Sequence, residues 1–189
     1  MVTITALWMP ILVSAAVVFF VSFLMWMVLP HHRSDWAKVN DEDALRNVIN
    51  DQKLGPGQYM VPYCINPKEM ADPAMIAKFE EGPVGFFTLT PPTKPTMGGK
   101  ILAGSAVYLV LSFFTGYLCS HTLEAGADTL SVFRIAGTIS VLSYTGSLVP
   151  NAIWWGRSWS MAIKEIVDGI AYGLCTAGVF AWLWPAVAA

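Results

Sequence analysis

Charge is scarce in this chain. Only 13% of its 189 residues are Asp, Glu, Lys or Arg, about half the share of an ordinary soluble domain. That excludes a typical water-soluble globule, and an aromatic content of 13% excludes a solvated disordered chain. Eleven basic residues face thirteen acidic ones, for a net charge of −2. No polybasic surface stands out, so nucleic acid is not an expected partner. There are three cysteines, Cys64, Cys119 and Cys175, too few and too scattered for a disulfide framework or a zinc knuckle. A P-loop, a G-x-S-x-G elbow, an H-E-x-x-H helix and a dinucleotide fingerprint are all missing. Cys64 has no His or Asp at a diagnostic spacing that would make it a nucleophile. Gly55-Pro56-Gly57 and Gly82-Pro83 read as turn chemistry rather than phosphate cradles. Internal repeats are also missing, which weakens an inverted-repeat transporter reading.

What the chain has is concentrated hydrophobicity. Mean hydropathy is +0.54, gathered into four runs at about 6–29, 101–120, 130–150 and 166–184. Each is about the 20 residues that a helix needs to cross roughly 30 Å of hydrocarbon. A lone segment in lipid must satisfy its own backbone, so each run is expected to be helical. The stretch before the first run, Met1 to Thr5, carries no Lys or Arg, and no small-x-small cleavage site follows Leu29. The first run therefore reads as a retained anchor, not a signal peptide. The expected fold is an all-α membrane protein. It has one transmembrane helix in 1–30, a small α+β soluble insert at 31–100, and a three-helix membrane region in 101–189.

Eight of the eleven basic residues lie in 31–100, and Arg157 and Lys164 lie in the short 156–165 loop. The 121–129 loop has two acids and no base. The positive-inside rule puts the insert in the cytoplasm and both termini outside. Within the insert, Asn40 is the expected N-cap of a helix whose first turn holds Asp41, Glu42 and Asp43. That helix ends near Lys53 and Gly55. A second helix has two candidate starts, Asn66-Pro67 and Asp72-Pro73, each with proline at N1, and ends at Gly82-Pro83. Tyr59–Tyr63 and Val84–Thr90 read as strands. Residues 91–99 form a stiff linker.

The fourth run carries a stripe of small residues, Gly169, Gly173, Ala177 and Ala181, at four-residue spacing. Lipid gives no hydrophobic drive between helices, so such a stripe serves close packing, within the bundle or against a partner. The first run shows no comparable stripe and reads as peripheral. Trp8, Trp26, Trp154, Trp155, Trp159, Trp182 and Trp184 fall near expected helix ends, as an interfacial aromatic belt does; a pigment or quinone site is the alternative. Two charges enter the spans. Arg134 can snorkel, while Asp168 has Lys164 four residues earlier as its expected partner. A proton path through Asp168 would need further ionisable groups at mid-membrane, and the runs offer none.

His31, His32 and Asp35, in HHRSDW, use the vocabulary of a metal site. Neighbouring histidines diverge on a helix, however, no second cluster completes the set, and His121 belongs to the opposite face. Interfacial anchoring is the preferred reading, with Arg33 at the headgroups and Asp35 capping the next segment. No catalytic constellation emerges, and no cofactor class is assigned.

The segments HHRSDWAKVNDEDALR, GPGQYMVPYC, EGPVGFFTL, PNAIWWG and DGIAYG together resemble a family of small uncharacterised bacterial multi-pass inner-membrane proteins. The resemblance covers residues 31 to 173. It implies a bacterial inner-membrane location with several spans, and brings no activity or site residues. The resulting expectation is a non-catalytic accessory or scaffold subunit of a larger inner-membrane complex, such as an energy-transducing, respiratory or photosynthetic one, with lipid and other integral subunits as partners. The alternatives are a small transporter or channel, and a membrane-bound metal-dependent enzyme.

Overall fold

A computed structural model describes residues 2–186. The chain divides into two units. One joins the residues up to Trp36 with those from Thr96 onward, and the other is Ala37–Pro95.

In the first unit, helix α1 (Trp8–Phe23) follows a 3-10 turn at Ile4–Leu7 and continues into a π-helical turn at Leu24–Val28. Helix α5 spans Gly98–Thr122, α6 spans Thr129–Thr145, α7 spans Leu148–Trp154 and α8 spans Trp159–Trp182. Three segments are long and apolar enough to cross a membrane: Ile4–Val28, Gly98–Thr122 and Thr129–Trp154. Only 22%, 17% and 22% of their most apolar windows is buried, so most of that apolar surface faces outward without protein cover. Acyl chains suit it and water does not. Helix α8 fills the place of the fourth run with 24 residues. It carries Lys164, Glu165 and Asp168 in its first half and is not among those three segments.

These helices close into a ring. Helix α1 lies on α5 and α8, α5 lies on α6, and α6 packs along α8. The α6–α8 seam shows what the small residues do. A Cβ placed on Gly173 would overlap Val141 Cγ2 and lie 2.8 Å from the Val141 backbone nitrogen. One on Gly169 would lie 2.7 Å from Thr145 Cγ2, and one on Gly137 would lie 3.2 Å from Ala177 Cβ. Gly169, Gly173 and Ala177 are therefore covered by α6. Ala181 packs at the far end, against a core of Leu7, Ile11, Cys119, Val132 and Phe180.

Helix α1 is not peripheral. Ser14, Ala15, Val18 and Ser22 are buried along one face, and Ser14 Oγ donates to Ser112 Oγ at 3.0 Å. The sequence reading overlooked this face because its small residues are serines set among Val and Phe, not glycines in a row.

In the insert unit, Asp41 rather than Asn40 caps helix α2 (Glu42–Asp51), accepting from the Ala44 N–H at 2.9 Å. Both proline starts are used. Asn66 caps α3 (Pro67–Met70) and Asp72 caps α4 (Pro73–Glu81). Gly82, at φ +66, ends α4 in a conformation that suits glycine. Strand β1 (Gly57–Val61) pairs antiparallel with β2 (Gly85–Leu89), Gly57 opposite Leu89 and Val61 opposite Gly85. Tyr59 stacks on Phe87 across the ladder.

Candidate functional site

The site is built where the first apolar run stops. The π-helical turn closes with the Leu29 N–H donating to the Leu24 carbonyl at 2.9 Å. Such turns recur at functional sites because they displace the side chains that follow. Pro30 cannot donate an N–H and opens a 3-10 turn at Pro30–Ser34. Three residues per turn bring positions i and i+3 to the same side. His32 Nδ1 accordingly meets Asp35 Oδ2 at 2.5 Å.

Asp168, on α8, receives both histidines. His31 Nε2 lies 3.1 Å from its Oδ1, and His32 Nε2 lies 2.8 Å from its Oδ2. One turn earlier on α8, Lys164 donates to Asp35 Oδ1 at 2.6 Å and to Ser34 Oγ at 2.8 Å. Trp26 lies flat on His32, with ring centroids 3.8 Å apart and planes 7° from parallel. His32 and Asp168 are 6% and 2% exposed, whereas the His31 side chain is 30% exposed. The cluster is thus sealed on the helix side and open beside His31.

Three sequence expectations are corrected here. Lys164 does not pair with Asp168. Asp168 is already held by two imidazoles, and Lys164 reaches across to Asp35 instead. Asp35 does not cap the following segment, since its oxygens are taken by His32 and Lys164. The two histidines also do not diverge: their ring centroids lie 4.2 Å apart and both Nε2 atoms reach the one Asp168 carboxylate. The same bonds place residues 31–36 with the helical unit rather than with the insert.

The other candidates lie elsewhere. Arg134 is exposed on α6, His121 is at the far end of α5, and Cys64 belongs to the insert unit. The sequence reading missed Trp26 and the Lys164–Asp35 link. The available signal was the Lys164/Asp168 spacing on one face of α8, which can serve two partners as readily as one internal pair.

Beyond Asp168 the interior carries hydroxyls. Tyr172 follows one turn later, and its ring meets Tyr108 and Tyr144 edge-on or tilted, with centroids 5.6–6.3 Å apart among the three. The buried Tyr172 hydroxyl has no partner at hydrogen-bond geometry among the described residues. Thr115 and Ser140 bond at 3.1 Å. This line stops at the apolar core around Phe180 and Leu7. Beside the cluster, Arg157 donates to Glu165 at 2.7 Å.

Burial alone would lower the pKa of His32, but hydrogen bonds and charges from Asp168 and Asp35 outweigh it and leave it above 6.5. Hydrogen bonds from Lys164 and His32 hold the Asp35 carboxyl below 3.8. The two shifts have opposite consequences. Stability from His32 is full below pH 6.5 and is lost as pH rises through its elevated folded value. Stability from Asp35 is full above pH 3.8 and is lost as pH falls through its depressed folded value. Thermal unfolding in detergent with chelator present should therefore show a plateau between pH 3.8 and 6.5. Above it, stability should decline, and that decline should flatten in His32→Ala. An alkaline limb unchanged by His32→Ala would exclude His32 as its source.

The Nε2 atoms of His31 and His32 and an Asp168 oxygen all lie within 4.8 Å of one another, a set able to hold a metal ion. Fold and site together fit a multi-pass helical membrane protein with a buried histidine–carboxylate cluster at the end of its first span. No protein-family model matches the chain, and no curated protein or solved structure does so either.

Proposed function

We propose that this chain is a four-span bacterial inner-membrane protein that serves as a non-catalytic accessory or scaffold subunit, with its insert on the cytoplasmic side and both termini outside. The resemblance of its motifs supports the location, and the distribution of basic residues supports the orientation. Helix α8 supplies the fourth span, its charged first half held by the first span's end.

The observation that carries the scaffold reading is the thinness of the insert's own core. Among the described residues of Ala37–Pro95, Cys64 alone is buried. Leu45, Val48, Tyr63, Ile65 and Ile76 are 43–69% exposed. A unit this small cannot bury such residues by itself, so an outside surface is the natural cover. The unit has eight acidic and six basic residues, which disfavours anionic lipid headgroups and favours the basic-rimmed face of another integral subunit. The apolar closure around Phe180 supports this reading over a transport path.

Purification in mild detergent from the native membrane tests it. The expected particle is larger than the monomer, and the double variant Leu45→Glu/Val48→Glu should reduce it to monomer mass with its helix content intact. A monodisperse wild-type monomer would overturn the reading.

A further inference from the structure

We propose that His31, His32 and Asp168 bind one divalent first-row transition-metal ion, of the zinc or ferrous-iron class, at the membrane-proximal end of the first span. This goes beyond the scaffold reading and does not depend on it.

The first ground is convergence. Two imidazole Nε2 atoms and a carboxylate oxygen, supplied by segments 136 and 137 residues apart in the chain, gather within 4.8 Å. The second is donor accounting. Both ring nitrogens of His32 face carboxylates, Nδ1 toward Asp35 and Nε2 toward Asp168. With Nδ1–H given to Asp35, a neutral ring aims a lone pair from Nε2 at an anionic oxygen. That is repulsive unless a cation stands between them, either a second ring proton or a metal ion. The third is orientation. A carboxylate accepting from the far nitrogen of a histidine is the usual support of a metal-bound imidazole, fixing its tautomer and direction. Asp35 occupies that place, and is itself pinned by Lys164, which also holds Ser34.

Charge supports the same conclusion. Lys164 offsets Asp35, while Asp168 is 2% exposed and has no counter-charge bonded to it whenever both histidine rings are neutral. A buried carboxylate in that state is costly, and a dication relieves it. Two imidazoles and one carboxylate suit first-row transition ions better than magnesium or calcium, which prefer all-oxygen sets. Three protein ligands leave a position open. The partly exposed His31 side marks the way in.

The test uses the full chain in detergent, stripped with chelator and titrated separately with Zn²⁺ and Co²⁺. The expected result is one ion per chain at micromolar affinity or tighter, with visible cobalt bands of low coordination number. Asp35→Asn should weaken affinity by about 10–100-fold, and His31→Gln should weaken it more, with elution volume and helix content unchanged. Because His31 is partly exposed, that variant is decisive without any change to the buried Asp168. Absence of stoichiometric binding would overturn the site and assign the second cation to a ring proton. Equal affinity in wild type and His31→Gln would overturn it too. Neither result bears on the oligomer test, so the two proposals fail separately.

Discussion

Asp168→Ala is expected to be the most damaging single substitution in the helical unit. It removes the acceptor of two imidazoles at once and leaves a cavity at a site that is 2% exposed. Deleting one partner of a buried pair costs about 3–5 kcal/mol, because the remaining charge stays buried and unmatched. Here His32 still has Asp35, so the loss belongs at the lower end of that range. Asp168→Asn keeps the shape and one acceptor, but turns the other arm into a donor facing an imidazole N–H. It should cost less than the alanine variant and more than any substitution of the exposed Arg134. Unfolding in detergent, followed by fluorescence of Trp26 stacked on His32, reads the difference, with Trp26→Phe identifying its share of the signal. An Asp168→Ala protein as stable as wild type would mean that the cluster holds nothing together.

Gly173→Ala should come next. Its new methyl would overlap Val141 Cγ2 and lie 2.8 Å from the Val141 nitrogen and 2.9 Å from its Cα. The first of these can rotate away, but the two backbone atoms cannot, so α6 and α8 must separate. Overpacking of this kind costs about 1–3 kcal/mol, and the backbone clash puts it near the top of that range. Gly178 supplies the control. It lies on the same helix and a Cβ there meets nothing within 4 Å, so Gly178→Ala should be neutral or stabilise by up to about 1 kcal/mol through helix propensity. Equal stability for the two variants would show that the α6–α8 seam is looser than described.

The spans were legible because length and apolarity are properties of a segment alone. The insert's helices and strands were legible for a similar reason: Asn66-Pro67, Asp72-Pro73 and Gly82 act locally, through caps, fixed φ and a left-handed end. The fourth run was the least secure as a span: α8, which fills its place, carries Lys164, Glu165 and Asp168, whose partners a linear reading cannot see, and is not among the three segments long and apolar enough to cross a membrane. The site was half legible. HHRSDW drew notice by its residue types, and Asp168 by being a charge in an apolar run, but nothing in the spacing joined them. Joining them needs two facts of tertiary geometry. One is the antiparallel placement of the first and last helices. The other is the placing of the Pro30–Ser34 turn against α8, where both histidine rings reach one carboxylate. Lys164 was assigned to Asp168 because i,i+4 proximity is the only pairing a sequence displays.

A double-mutant cycle on His32 and Asp168 tests most directly whether the end of the first span is locked to α8 through these side chains. It compares wild type, His32→Ala, Asp168→Ala and the double variant by unfolding in the same detergent with chelator present. Residues in one buried network couple by about 0.5–3 kcal/mol, and a coupling in the upper half of that range is expected here. Additive losses would show that His32 and Asp168 do not hold each other, and would contradict the lock.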